Sequence, residues 1–401
     1  MIDDEAIDTR LGDASTAWAG RLVELAHDIA AHPELNFEEH HAHEVLVGLL
    51  DDAGLAVEPH AYGLETAFVA RAGSGDGPTV AILCEYDALP GVGHACGHNV
   101  IAAVGAGAGI IASQVVDELD GRLVVIGTPA EEGGGGKIDL LEAGAFDGVD
   151  VALMVHPADA DLTHMDTIAV AQYRATYTGR AAHAAAAPEQ GRNALDAAVL
   201  GYVNVAALRQ HITDTERIHG VFTRAGDAAN VVPAVAETVW FVRSATLASL
   251  EPLVDRVHAC LRAGADATGC TVEIIREAHP YAEMLENPVL VERYVRLAGS
   301  VGRTVRPPEG TRRVVGSTDM GNISQVVPSI HPMIQVAPPG VAIHTEDFAA
   351  AAVSESADRA VTDGATILAR LAIACWSEDG LVDAARRAFE GAIPSHRDDA
   401  I

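Results

Sequence analysis

Lysine is almost absent from this chain. Lys137 stands alone, and arginine supplies the rest of a small positive complement: 26 Lys and Arg face 57 Asp and Glu, for a net charge of −31. A field of that sign repels nucleic acid and anionic membrane surfaces, which excludes polyanion binding as a function. Cysteine is scarce too. Cys84, Cys96, Cys260, Cys270 and Cys375 are odd in number and scattered, so they form no disulfide framework and fit a reducing cytoplasm. Long apolar runs are also missing. The least polar stretch, Val100 to Ala112, is rich in Gly and Ala and falls well short of the roughly 20 apolar residues a membrane span needs. The opening MIDDEAIDTR is acidic where a secretory signal is basic and then apolar. The expectation is a soluble cytoplasmic protein.

What is present is material for burial: 49% of the 401 residues are hydrophobic, more than one core usually absorbs, so two domains are expected. From Thr79 to Pro157 apolar runs alternate with helical patterns, the signature of βαβ units building a parallel sheet with helices on both faces. The pattern predicts strands over 79–87, 122–128 and 149–155, with helices over 99–119 and 137–145. A strand over 332–337 is expected to rejoin that sheet after an insertion.

The insertion has another rhythm. Strands at 171–179, 217–225, 236–243 and 270–277 and helices at 191–212 and 247–268 give β-α-β-β-α-β, the ferredoxin-like split arrangement. The expected organisation is a catalytic metal-binding domain in two parts, 1–168 and 283–401, with a satellite domain over 169–282. The tail from about Ile393 is expected to be disordered.

In open α/β sheets, ligands bind beyond the carboxyl ends of the parallel strands. Metal-capable residues gather there: Asp87, Cys96 with His98, the pair Glu131-Glu132, His156 and His344. Taken singly, Cys96 reads as a small packed hydrophobe, His156 as a hydrogen-bonded core histidine, and the glutamate pair as a solvated turn. Five loops that each deliver Cys, His or carboxylate to one rim point instead to one cluster of metal ligands. Thiolate, imidazole and carboxylate together suit zinc or a similar divalent ion. There are more donors than one tetrahedral catalytic ion needs, so two ions about 3.5 to 4 Å apart are expected. One glutamate of the pair then binds metal, and the other moves a proton. Gly133 to Gly136 would let the backbone turn sharply beside a substrate.

At these residues the chain resembles the dinuclear metallopeptidases that include aminoacylase, bacterial glutamate carboxypeptidase and plant auxin-conjugate amidohydrolases. HPELNFEE (32–39), EYDALPGVGHACGHN (85–99), GTPAEEGGGGK (127–137), GSTDMGN (316–322) and PPGVAIHTEDF (338–348) carry the likeness. They look like the subgroup with a cysteine ligand, and within it like the aminobenzoyl-glutamate hydrolase and β-alanyl-lysine dipeptidase type. The resemblance spans nearly the whole chain.

It implies a metal-dependent amidohydrolase that cleaves an amide bond in a small dipeptide or N-acyl amino acid. The metal ligands would be Cys96, His98, Glu132, His156 and His344, with Cys96 as bridge. Glu131 would be the catalytic base and Asp87 the carboxylate that orients a ligand imidazole. The two ions would be zinc or manganese, with cobalt as an alternative. GRAAHAAAAP (179–188) resembles the family segment whose histidine stabilises the oxyanion, here His183, which often reaches a partner's site and implies a homodimer formed through the satellite domain. Asn230 and Arg243 match positions that bind the substrate's amide or carboxylate. Asn99 departs from the aspartate many relatives carry after CGH, and Glu85 stands where other branches have a histidine ligand.

Two rival readings are weaker. A nucleotide-binding protein could be built on Gly105, Gly107 and Gly109, but a phosphate-cradling loop joins a strand to a helix N-terminus, whereas these glycines lie inside a helical pattern. A non-catalytic binding protein on the same fold would be expected to have lost a ligand or the base, and all are present.

Overall fold

A computed structural model describes residues 4–308 and 315–392; the tail expected to be disordered from Ile393 lies outside the described residues. The chain divides into two compact units, one running to Asp166 and resuming at Met284, the other Thr167–Glu283.

The first unit opens with α1 (Asp4–Ala31) and α2 (His40–Asp52), followed by β1 (Ala56–Pro59), β2 (Phe68–Ala72) and β3 (Thr79–Cys84). It continues through α3 (His98–Ser113), β4 (Arg122–Gly127), α4 (Gly136–Glu142), β5 (Val151–Leu153), β6 (His156–Ala158) and the short β7 (Asp166–Thr167). After the insertion come α7 (Pro288–Ser300), β12 (Val315–Gly316), α8 (Met320–Ser324), β13 (Ser329–Ile330), β14 (Met333–Gln335), α9 (Glu346–Ala351), α10 (Glu355–Ser377) and α11 (Leu381–Ala392). The main sheet has the order β1-β2-β4-β3-β5-β13. Pairing is parallel from β4 to β13 and antiparallel where β2 and β1 join.

Every residue of β3 is buried, as a strand covered on both faces requires. Val80, Ile82 and Cys84 join a core with α1, α3 and α10, while Ala81 and Leu83 join a smaller core with Leu140, Met320 and Ile323 of α4 and α8. Helix α3 is apolar all round and buried along nearly its whole length, the mark of a central helix. Its glycines permit close approach. A Cβ on Gly105 would lie 2.5 Å from Cys84 Sγ, and one on Gly109 would lie 2.3 Å from Val125 Cγ2. That packing accounts for the glycines that superficially suggest a nucleotide loop.

Several expected boundaries shift, and strands 79–87 and 149–155 shorten to β3 and β5. Helix α3 ends at Ser113 rather than Leu119, and the intervening residues form turns. Strand 332–337 does not join the main sheet: β13 does, and β14 pairs in parallel with β6 in a separate ladder. The interruption falls at His331-Pro332, where proline has no N–H to continue a ladder and offers only its carbonyl, to His156 N at 2.9 Å. The helix expected over 191–212 is shorter for a reason of capping: Asn193 accepts from Leu195 N and Asp196 N and starts it at Ala194.

The inserted unit contains β8 (Ala169–Thr178), α5 (Ala194–Leu208), β9 (Arg217–Arg224), β10 (Val235–Ser244), α6 (Leu247–Thr268) and β11 (Thr271–Arg276), with sheet order β11-β8-β10-β9. This is the ferredoxin-like arrangement, antiparallel throughout. Helix α6 begins on a Thr246/Ser249 capping box and stops at Gly269, whose φ is 67°, as glycine after a helix allows. Among the described residues no helix is long and apolar enough to cross a membrane.

Beside β13, Glu286 Oε2 accepts from His331 N at 3.4 Å, Oε1 is buried without a hydrogen bond, and burial pushes the carboxyl up to about 8. The folded state therefore holds a proton that the unfolded chain releases near pH 4.5, so this group's contribution to stability falls as pH rises between about 4.5 and 8. Glu286→Gln removes that slope. Urea unfolding should show the variant gaining on wild type by up to a few kcal/mol from pH 5 to pH 8.5; a constant difference would place the carboxyl in water.

Candidate metal centre

The exits of β3, β4 and β5 converge with the loop after β14. Three residues beyond β3, Asp87 is buried, and its Oδ1 accepts from His98 Nδ1 at 2.8 Å. His98 opens α3, so the helix start and the strand end fix one imidazole between them. Its Nε2 is left for another partner and makes no hydrogen bond although fully buried. His156 is arranged alike: Nδ1 donates to Pro157 O at 2.7 Å, and Nε2 lies 3.4 Å from Cys96 Sγ. A ring nitrogen tied to a carboxylate or carbonyl while the other faces inward is the habit of ligating histidines.

The ligand atoms of Cys96, His98 and His156 lie within 4.8 Å of one another, and so do those of Cys96, Glu132 and His344. Cys96 is the common member. His344 Nε2 stands 3.3 Å from Glu132 Oε1, and His344 has a left-handed backbone, φ 65°, with its N–H donated to Ala95 O at 2.8 Å. Glu132 Oε1 is buried without a hydrogen bond. Soft and intermediate donors with orphaned polar atoms aimed at one another suit divalent cations. The residues present therefore fit a pair of ions.

Electrostatics separates the two glutamates. Burial, then the negative neighbours Glu85, Glu132 and Asp319, holds the Glu131 carboxyl well above the carboxylate range. For Glu132 burial acts the same way, but His344 and His98 outweigh it and pull the carboxyl down. Burial opposes the His98 imidazolium, yet Asp87, Cys96 and Glu85 together raise it well above the usual value. Burial lowers His156 and pushes the Cys96 thiol up. A thiolate there needs a cation beside it.

Several residues of the site carried no role in the sequence. Lys137, the only lysine, is fully buried, and its Nζ lies 2.6 Å from both Glu85 Oε1 and Asp319 Oδ1. Its backbone N–H also reaches Asp319 Oδ2 at 3.1 Å. The other oxygen of Glu85 is 3.4 Å from His98 Nε2. His331 is buried with its ring edge-on to His156 at 5.3 Å. The available signal was rarity: a lone lysine closing EEGGGGK in so acidic a chain. Asn99 donates to Ala26 O and Ala352 O at 3.1 and 2.9 Å, a double donation that an aspartate could not make.

Beside His156 opens a cavity of about 230 Å³ whose walls include Leu162, Met165, Met333, Val341 and Ile343. The other three expected residues lie in the inserted unit. His183 Nδ1 accepts from Ala186 N at 3.1 Å, and Ala184 N donates to Asn230 O at 3.0 Å, so these two segments adjoin. Arg243, on β10, lies 5.8 Å from the Phe241 ring centroid.

Comparison with known proteins decides the family. Residues 81–374 match the peptidase family M20/M25/M40. The chain belongs to that family. Mouse Xaa-Arg dipeptidase is 39% identical over 96% of this chain and 93% of its own length. A p-aminobenzoyl-glutamate hydrolase chain of Escherichia coli is 35% identical over 66% of this chain and 59% of its own. Among solved structures, an aminobenzoyl-glutamate utilization protein from Klebsiella pneumoniae superposes with a TM-score of 0.73 at 22% identity, covering 92% of this chain and 99% of that one. A dinuclear metal-binding peptidase of the M20 family from Bacillus subtilis gives 0.66 at 20%, covering 88% and 99%. This M20/M25/M40 chain is a hydrolase of amide bonds in small substrates.

Lys137→Met would leave Glu85 and Asp319 buried without a counter-ion, and breaking a buried pair typically costs about 3 to 5 kcal/mol. Urea unfolding at pH 7 should show a loss of that order, partly recovered when Glu85→Gln and Asp319→Asn are added. An unchanged midpoint would mean that water, not Lys137, balances those carboxylates.

Proposed function

We propose that this chain is a two-metal dipeptidase or acyl-amino-acid hydrolase, acting in the cytoplasm on an amide bond next to a carboxylate. The observation that carries the reading is the pair of donor triads sharing Cys96. One ion would be held by Cys96, His98 and His156, the other by Cys96, Glu132 and His344, with Cys96 bridging. Zinc or manganese suits this mixed donor set, and cobalt is an alternative. When bound, such ions supply Lewis acidity, polarising the scissile carbonyl and lowering the pKa of water.

The chain's own residues divide the remaining work. Glu131, whose surroundings raise its proton affinity, is suited in its ionised form to take the proton of the attacking water and then return it to the leaving amine. Glu132, held anionic by its histidines, is suited to bind metal. Asp87 orients His98. His183 would stabilise the oxyanion, with Asn230 and Arg243 binding the substrate's amide or carboxylate. The cavity beside His156 offers an apolar wall to the part of the substrate that does not react. Xaa-Arg dipeptidase and p-aminobenzoyl-glutamate hydrolase, the names of two relatives, both describe substrates with an amide beside a carboxylate.

Metal occupancy measured beside turnover tests the pair, with the protein loaded in turn with zinc, manganese and cobalt. Wild type should hold about two ions per chain. Glu131→Gln should keep them and lose kcat by about 10³ to 10⁴-fold with KM little changed, since one residue serves both proton transfers. Glu132→Gln should lose metal and regain activity with excess metal. The reverse pattern would exchange the two roles; full turnover in both would remove the mechanism.

The satellite unit is the proposed seat of a homodimer. Val199, Leu200 and Val203 on α5 and Val221 and Phe222 on the edge strand β9 are exposed apolar side chains, and such faces favour self-association. If His183 completes a neighbouring site, mixing Glu131→Gln chains with His183→Ala chains should restore activity through one intact site per mixed dimer. No recovery despite demonstrated chain exchange would put His183 in its own chain's site or outside catalysis.

A further inference from the structure

The motif HPELNFEE has no role in the reading above, yet its second half lies against the turn that carries Glu131 and Glu132. That turn is awkward to build. Thr128 bonds back to Cys84 O through both N and Oγ1, at 2.8 and 3.0 Å. Ala130 then takes a left-handed backbone, φ 58°, although it has a side chain, a conformation costing roughly 1 to 2 kcal/mol. Its carbonyl accepts from Gly134 N and Gly135 N at 3.0 and 2.8 Å, closing the loop around the glutamates.

Residues 36–39 satisfy this turn from outside. Glu39, fully buried, accepts from Ala130 N at 2.9 Å and Phe37 N at 3.0 Å through Oε1, and from Thr66 Oγ1 at 2.9 Å through Oε2. The Asn36 amide, oriented as its neighbours require, donates to Asp87 Oδ2 at 2.9 Å and accepts from Gly133 N at 3.2 Å. The same Asp87 oxygen accepts from Glu132 N at 2.9 Å. A Cβ on Gly134 would lie 2.4 Å from Phe37 Cε2, so the ring and the glycine are shaped to each other. The N–H before the glutamate pair thus goes to Glu39, the N–H within it to Asp87, and the N–H after it to Asn36.

A plain structural role does not account for Glu39. It stands immediately before α2 but makes no side-chain cap; Glu34 does that work, accepting from His41 N and Ala42 N at 2.9 and 3.1 Å. We propose that Glu39 and Asn36 are positioning residues that hold the Glu131-Glu132 turn in its working shape. Glu39 acts through the N–H of Ala130, and Asn36 acts through Asp87 and Gly133. The inference rests on the base and ligand roles proposed for the pair.

The experiment compares Glu39→Ala, Glu39→Gln, Asn36→Ala and, as a helix-cap control, Glu34→Ala, in full-length protein reconstituted with zinc. Glu39→Ala and Asn36→Ala should each lower kcat about 10 to 100-fold, with KM within about threefold, because small misplacement of a reacting group is costly. Chelator competition should show zinc affinity falling by a similar factor, as for other outer partners of metal ligands. A glutamine oxygen can still accept both N–H groups, so Glu39→Gln should return kcat and affinity to within about threefold of wild type. Glu34→Ala should lose stability alone.

Wild-type kcat and zinc affinity in folded Glu39→Ala and Asn36→Ala would overturn the proposal, as would losses in Glu34→Ala that match theirs. If Glu39→Ala does not fold, the Asn36→Ala and Glu39→Gln results decide. A Glu39→Gln chain as impaired as Asn36→Ala refutes the acceptor role. Failure of the base and ligand assignment would appear separately, in the Glu131→Gln and Glu132→Gln comparison, which leaves residues 36–39 intact.

Discussion

The site depends on how negative charge is kept out of water. Glu85, Asp87, Glu131 and Asp319 are buried where the strand ends meet, and the side chain of Glu132 keeps only 10% of its surface exposed. Carboxylates in that setting need a proton, a donor or a cation. Lys137 balances Glu85 and Asp319, His98 balances Asp87, and the imbalance left around Cys96 is what a pair of divalent ions would correct. A chain that uses lysine once has put it where no solvent reaches. Its length and flexibility matter there, because one ammonium spans two carboxylates on separate loops while its own backbone N–H holds the second.

The fold serves this arrangement by bringing α3 unusually close to the sheet. With glycine at 105 and 109 the helix lies against Cys84 and Val125, so its first residue, His98, falls within hydrogen-bonding reach of Asp87 just beyond β3. Asn99 then pins the same turn to α1 and to the end of α9 by donating to Ala26 O and Ala352 O. The imidazole is therefore placed by packing in one direction and by hydrogen bonds in another. Neither constraint alone would hold a donor atom to the few tenths of an ångström that coordinating a metal would demand.

Much of this was legible in the sequence, for identifiable reasons. A strand buried on both faces writes itself as an unbroken apolar run, so 79–84 was readable; the expected strand ran on to Asp87, past the observed end at Cys84, because Glu85 and Asp87 are buried as a site and not as a sheet. The inserted unit was readable because period-two and helical patterns alternate across it. The break between β13 and β14 turns on one missing N–H at Pro332. Lys137, Asp319 and Glu85 went unassigned because ion pairs between distant segments leave no periodicity; only the oddity of a lone lysine marks them. Residues 36–39 were conspicuous as a motif, but their partners are backbone N–H groups, which a sequence does not display.

The glutamate pair shows how far the neighbours of a side chain outweigh its chemical identity. Glu131 and Glu132 are the same residue type at adjacent positions, and burial pushes both toward protonation. His98 Nε2 lies 3.9 Å from a carboxyl oxygen of each, so the other neighbours decide the outcome: Glu85 and Asp319 act on Glu131, whereas His344 acts on Glu132. Two groups whose surroundings drive their proton affinities apart are suited to different tasks, one to carry a proton and one to remain a charged donor. The left-handed Ala130 and the glycine run after Glu132 shape the turn on which both side chains sit.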